Sequence, residues 1–278
     1  MTLTGREKHA LKVIKEWENR LMTYEPNDFQ ITFEKYLERS FRLLPESIQK
    51  QFFSVVDSGL FHMNALIQGS QIQLETRERI LSTGRIFDHT LEKITDLKNL
   101  KLDELQFIAE QQIARHRLYS LVQGSLAGTG KALFLGTDLP AMAIINLRAV
   151  QLIGLVYGFE INTPFELMTS LKVFYSAILP PRYQKEAWSD LISEIDFQNH
   201  FFYEGIEDIT DTPWIEHLLE QLFKAMVILT IRKKEMKGIP LVGLAIGAGT
   251  NYRLTKKVTD FANKYYQLRF LQNKEVEI

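Results

Sequence analysis

The chain has 278 residues, 45% of them apolar and 24% charged, which is ordinary globular composition and excludes a disordered or low-complexity protein. Its 33 basic and 34 acidic residues leave a net charge of −1, so no global field draws it to nucleic acid. It has no cysteine, which removes disulfides, thiolate metal sites and a cysteine nucleophile, and fits a cytosolic bacterial protein.

Read in chain order, nearly every periodic segment is helical. Alternating strand patterns are few, and Asn-Gly or Asp-Gly hairpin turns are missing. The opening stretch has neither an apolar core nor a small-residue cleavage site, so it reads as helix rather than secretion leader. Thr4-Gly5-Arg6-Glu7 is a capping-box pattern, followed by Leu11, Ile14, Trp17 and Leu21 at helical spacing. A second helix is expected over 28–43, and Pro45 suits the first turn of a third. A fourth covers about 70–90, with Ile72, Ile80, Ile86 and Phe87 as its apolar set. The stretch 96–105 is a polar break and the best candidate boundary. It divides an N-terminal region, 1–100, from a helical core, 101–278, unless the two form one continuous domain. A fifth helix runs from about Asp103 to Val122. In Arg115-His116-Arg117 the expected setting of His116 is a solvated helix face, with a functional basic pocket as the alternative.

Asp138-Leu139-Pro140 reads as a helix start with Asp138 at or near the N-cap, the helix running to Tyr157 and capped by Gly158. Thr163-Pro164-Phe165-Glu166 opens another, and Pro180-Pro181 stops it. An amphipathic helix follows at about 183–197. A long apolar helix starts at Thr212-Pro213 and ends before Gly238 and Pro240. The last helix spans about 251–272, and the tail after it is expected to fray. The fold class is therefore all-α: a bundle of about nine or ten helices. Two Gly-rich apolar turns, 124–140 and 238–252, are placed at its centre.

No segment supplies the roughly 18 consecutive apolar residues of a membrane span. The longest runs free of Asp, Glu, Lys and Arg, 58–74 and 238–252, are polar or short, and Arg148 interrupts 139–159.

The run Ser125 to Ala132 invites a P-loop reading. A Walker A motif needs Gly, four residues, then Gly-Lys and a hydroxyl residue. Here Ser125 stands where the first Gly belongs, and Ala132 offers nothing to Mg²⁺. A charged helical stretch precedes it instead of a strand. The glycines instead suit tight turning or close helix approach, with backbone N–H groups able to face an anion.

Other chemistry is sparse. The six histidines are scattered, with no metal-ligand spacing, so no metal or cofactor is expected. His200 sits in an aromatic loop, and the carboxylates at 204–211 read as a solvent-facing acidic loop. Arg148 lies deep in an apolar helix, ten residues from Asp138 and on a similar face. A buried cation there needs a partner on another helix or an anion.

Residues 124–160 combine a Gly-rich apolar turn, Asp-Leu-Pro, an Arg ten residues beyond the Asp, and Tyr-Gly-Phe. Residues 238–271 combine Pro-Leu-Val-Gly, Gly-Ala, Asn and a helix ending in an aromatic, Arg-containing segment. In this order the two blocks resemble the signature of the EcsC family. The resemblance implies a non-enzymatic accessory or interaction protein, since the namesake is encoded beside an ABC transporter linked to protein secretion. It implies a bacterial, cytoplasmic protein, peripheral to the inner membrane face, with the transporter or membrane lipid as partner. It transfers no catalytic residue. Lys131, Asp138, Arg148, Asn251 and Arg253 stand as candidate functional positions. A hydrolase using Asp138 with polar groups near Asn251, or a carrier of a lipid or other apolar molecule, are the alternatives.

Overall fold

The computed structural model describes residues 3–25, 71–127, 135–179, 181–197 and 240–276. Among these the protein is all-α, with seven α-helices, one 3-10 helix and no strand. The helices are α1 (Gly5–Met22), α2 (Gln71–Gly84), a 3-10 helix (Ile94–Asn99), α3 (Leu102–Ala127), α4 (Leu135–Val156), α5 (Pro164–Ile178), α6 (Pro181–Phe197) and α7 (Pro240–Val276). The helices expected over 28–43, after Pro45 and after Thr212 lie outside the described residues, as does most of the turn after Ala127.

The capping box of α1 is formed. The Glu7 N–H donates to Thr4 Oγ1 at 3.3 Å, and the Thr4 N–H donates to Glu7 Oε2 at 2.8 Å. Two otherwise orphaned donors are thereby satisfied. Ile14 is fully buried, with Leu11, Trp17 and Leu21 packed beside it.

Helix α2 stops at Gly84, earlier than the expected residue 90. Ile86 and Phe87 fall in the following turn and are exposed. A Cβ at Gly84 would stand 2.8 Å from Leu97 Cδ2 and 3.0 Å from Leu91 Cδ1, so the glycine lets these leucines pack closely on this helix end. The Asp96 carboxylate holds that segment's start, accepting from the N–H groups of Glu92 and Lys93 at 2.9 and 2.8 Å. Ile94, Leu97, Leu100, Leu102 and Leu105 are all buried. The stretch read as a polar break thus feeds a core that also holds Ile14, Leu147, Val173, Trp188 and Phe261.

Helix α4 ends in a Schellman motif. Gly158, at φ +79°, donates its N–H to Leu155 at 3.0 Å, and Phe159 donates to Gly154 at 3.0 Å. Helix α5 begins as its sequence predicts: Thr163 Oγ1 accepts from the Glu166 N–H, and Pro164 occupies the first position.

The long helix α7 packs along α3, α4 and α5. It begins at Pro240, eleven residues before the expected start, so the block 240–250 is helical rather than a turn. Glycine costs a helix about 1 kcal/mol per residue without forbidding it, and a proline that ends one helix can start the next. At the other end the chain stays helical to Val276 instead of fraying. Lys274 Nζ donates to the buried Glu7 Oε1 at 2.6 Å, tying that end to α1. Trp17, Trp188 and Phe261 meet edge-on at centroid distances of 4.8, 5.6 and 5.2 Å, joining α1, α6 and α7. No helix among the described residues is long and apolar enough to cross a membrane.

Candidate functional site

Of the expected positions, Lys131 lies outside the described residues. Asp138 falls inside the first turn of α4, which starts at Leu135, so it is not the N-cap residue. An acidic residue in a first turn still complements the helix dipole.

Arg148 is the position with the most developed surroundings. It is half-buried on α4, and its Nη2 donates to Thr76 Oγ1 on α2 at 3.2 Å. One turn along α2, Arg79 Nη2 donates to the same hydroxyl oxygen at 2.9 Å. Residues 76 and 79 share a helix face, which brings both guanidinium groups to one point. Arg79 Nε is buried and has no hydrogen-bond partner.

Helix α3 supplies the third wall with Gln112, His116 and Tyr119, spaced by four and three residues. His116 is only 5% exposed, not on a solvated face. Its Nδ1 lies 3.0 Å from the Gln112 carbonyl oxygen, so that nitrogen carries the proton. Burial pulls its pKa down to about 4. The Gln112 carbonyl opposes this, while the charges of Arg148 and Arg79 add to it. The ring is neutral at neutral pH. Burial also lowers the pKa of Arg148; Tyr119 opposes the shift and Arg79 reinforces it. The Arg148 guanidinium nonetheless stays charged. A sequence reading could find the 76/79 and 112/116/119 spacings. It could not know that these faces meet.

Asn251 and Arg253 lie on α7. Asn251 is buried, with its Nδ2 unpaired, and Arg253 is exposed. No hydrogen bond or ion pair among the described residues links either to Arg148.

Three further features were not legible in sequence. Glu166 and Arg269 form a buried two-bond ion pair, with the Arg269 guanidinium 4.0 Å from the Phe159 ring centre. An open groove of about 600 Å³ lies between α1, α3 and α7, lined by Arg6, His9, Phe107, Glu110, Asn263 and Lys264 among others. Its charges are of both signs, and Arg6 pairs with Asp103 at its edge. Finally, the second half of α3 is apolar on its outer face. Leu118, Tyr119 and Val122 are 60, 56 and 50% exposed, with Leu121 beside them. Among the described residues there is no cluster of side chains able to hold a metal ion.

These features define a helical-bundle protein with a paired-arginine centre beside an apolar helix face. The chain belongs to the EcsC protein family, whose model it matches over residues 8–271. It is similar to the Uncharacterized protein YdbA of Bacillus subtilis (strain 168), 27% identical over 157 residues, 54% of each chain. It therefore spans about half the length of that relative. It is also similar to Protein EcsC of the same strain, 23% identical over 183 residues, 64% of this chain and 68% of that one. No solved structure matches.

Proposed function

We propose that this protein works by docking rather than by catalysis, as a peripheral accessory protein at the cytoplasmic face of a membrane. Family resemblance adds an ABC transporter linked to secretion as the neighbour it serves there. The observation that carries the reading is the outer face of α3. Leu118, Tyr119, Leu121 and Val122 form a contiguous exposed apolar surface at one end of a helix whose inner face is already in the core. Large exposed apolar groups clustered in this way mark an interaction surface. Arg115, one turn back and exposed, offers a cation to anionic headgroups, and a tyrosine suits the boundary between acyl chains and water.

The test is co-sedimentation of the full chain with vesicles of phosphatidylglycerol and phosphatidylethanolamine. Wild type should pellet with them. The double variant Leu118→Lys, Val122→Lys should bind at least about tenfold more weakly, since each lost apolar side chain removes roughly 1.5 kcal/mol or more. A wild-type protein that stays in the supernatant sinks the docking reading. Lipid bound to that supernatant protein, seen by native mass spectrometry, would point instead to a carrier.

A further inference from the structure

Resting on the docking reading above, we propose that Tyr252, Arg253 and Lys256 of α7 are its second half: they bind anionic lipid headgroups and make the surface selective for an acidic membrane.

The register of α3 against α7 brings the two faces together. Arg117 on α3 donates from Nη2 to Thr259 Oγ1 at 3.0 Å and to Asp260 Oδ1 at 2.6 Å on α7. Nearer the start of α3, Phe107 and Glu110 share a groove with Asn263, Lys264 and Gln267. Residue numbers fall along α3 as they rise along α7, so the two helices run antiparallel. One turn beyond Arg117 stands Leu121, and one turn before Asp260 stands Lys256. These two positions are on adjoining flanks, with Leu118 and Val122 on the outer side of Leu121. Tyr252, Arg253 and Lys256 are exposed, whereas Asn251, Thr255 and Thr259 are buried. Helix α7 thus turns one stripe into the bundle and presents the other beside the apolar patch of α3.

The charge here runs against that of the chain, which is −1 overall. Over 115–122 and 252–260 the single carboxylate is Asp260, and Arg117 takes it. Lys257 turns away, donating to the Leu179 carbonyl oxygen at 2.5 Å. Arg115, Arg253 and Lys256 are exposed and form no ion pair among the described residues. Cations around a patch of leucines match an anionic bilayer surface. Their aliphatic stems cover apolar area while their charged ends reach phosphates. Tyr119 on α3 and Tyr252 on α7 suit the headgroup boundary. Lysine is depleted at protein interfaces, so this composition favours a lipid surface over a protein one.

The experiment titrates the full chain with vesicles of phosphatidylcholine alone or with phosphatidylglycerol added. It compares wild type with the double variant Arg253→Gln, Lys256→Gln. The control, Lys8→Gln, Lys12→Gln, removes the same charge from exposed positions of α1, the helix tied to the far end of α7 by Glu7 and Lys274. All four substitutions are at exposed positions and leave the fold intact. Each cation held at an anionic surface is worth about fivefold in affinity. Wild type should therefore bind the phosphatidylglycerol vesicles at least about tenfold more tightly than phosphatidylcholine, and added salt should erase the difference. The α7 variant should lose at least about tenfold on phosphatidylglycerol and nothing on phosphatidylcholine, while the α1 control binds as wild type does. Wild type that binds both lipids alike overturns the assignment, and so does an α7 variant no weaker than the α1 control. In either case the docking reading stands if Leu118→Lys, Val122→Lys still loses binding. Wild type that binds neither vesicle sinks both.

Discussion

Glu166 and Arg269 are joined by two parallel hydrogen bonds, 2.5 and 2.7 Å long, between the first turn of α5 and the far end of α7. Both side chains are buried, and the guanidinium also lies against Phe159 and Phe165. Burial alone would lower the arginine pKa, but the Glu166 carboxylate overrides it and holds the group above its usual range. The pair fastens α7 to the α4–α5 turn.

Removing one partner leaves an uncompensated buried charge. Arg269→Met should therefore cost about 3–5 kcal/mol in urea unfolding. The double variant Glu166→Leu, Arg269→Met should recover much of that loss, because it strands no charge. A single variant costing under about 1 kcal/mol would show that the pair is solvent-relaxed and not a fastener.

Gly158 is a backbone requirement. Its φ of +79° is disfavoured for any L side chain, and a Cβ there would meet Lys98 Cγ at 2.5 Å and the Lys98 backbone nitrogen at 3.1 Å. Gly158→Ala should destabilise by about 1–3 kcal/mol. Chemical denaturation monitored by circular dichroism checks this, and an unchanged midpoint would mean that α4 does not need its left-handed cap.

His116 predicts a pH dependence with a definite sign. Its folded pKa is near 4 against an ordinary value of 6.5, so the unfolded chain takes up the proton first as pH falls. The stability contribution is complete above pH 6.5 and is lost progressively as pH drops to about 4. The loss amounts to about 3 kcal/mol. Carboxylates titrate in the same window, so the quantity to measure is the difference between wild type and His116→Gln. That difference should change with pH between 6.5 and 4 and be flat between 7 and 8. A difference constant across the whole range would place the imidazole in contact with water.

What could be read from sequence is the chemistry that acts within a few residues. The Thr4–Glu7 capping box, the Thr163-Pro164-Glu166 helix start and the Gly158 stop all form as their residues imply. Each satisfies a backbone donor or acceptor at most five positions away. The all-α class follows from the same local periodicity. Where local rules failed, packing had outvoted them. The glycines of 240–250 are helical, the apparent polar break buries four leucines, and Asp138 lies inside α4 rather than capping it.

By itself, then, the sequence determined the all-α class, the ends of α1, α5 and α6 and the stop of α4, and which family the chain resembles. Only the tertiary structure decided which polar residues are buried together. Arg79 and His116 sit in segments polar enough to pass for solvated faces. They become part of one centre because α2, α3 and α4 bring Thr76, His116 and Arg148 to the same place. The free energy of a buried charge depends on what faces it across helices, and sequence spacing carries no record of that.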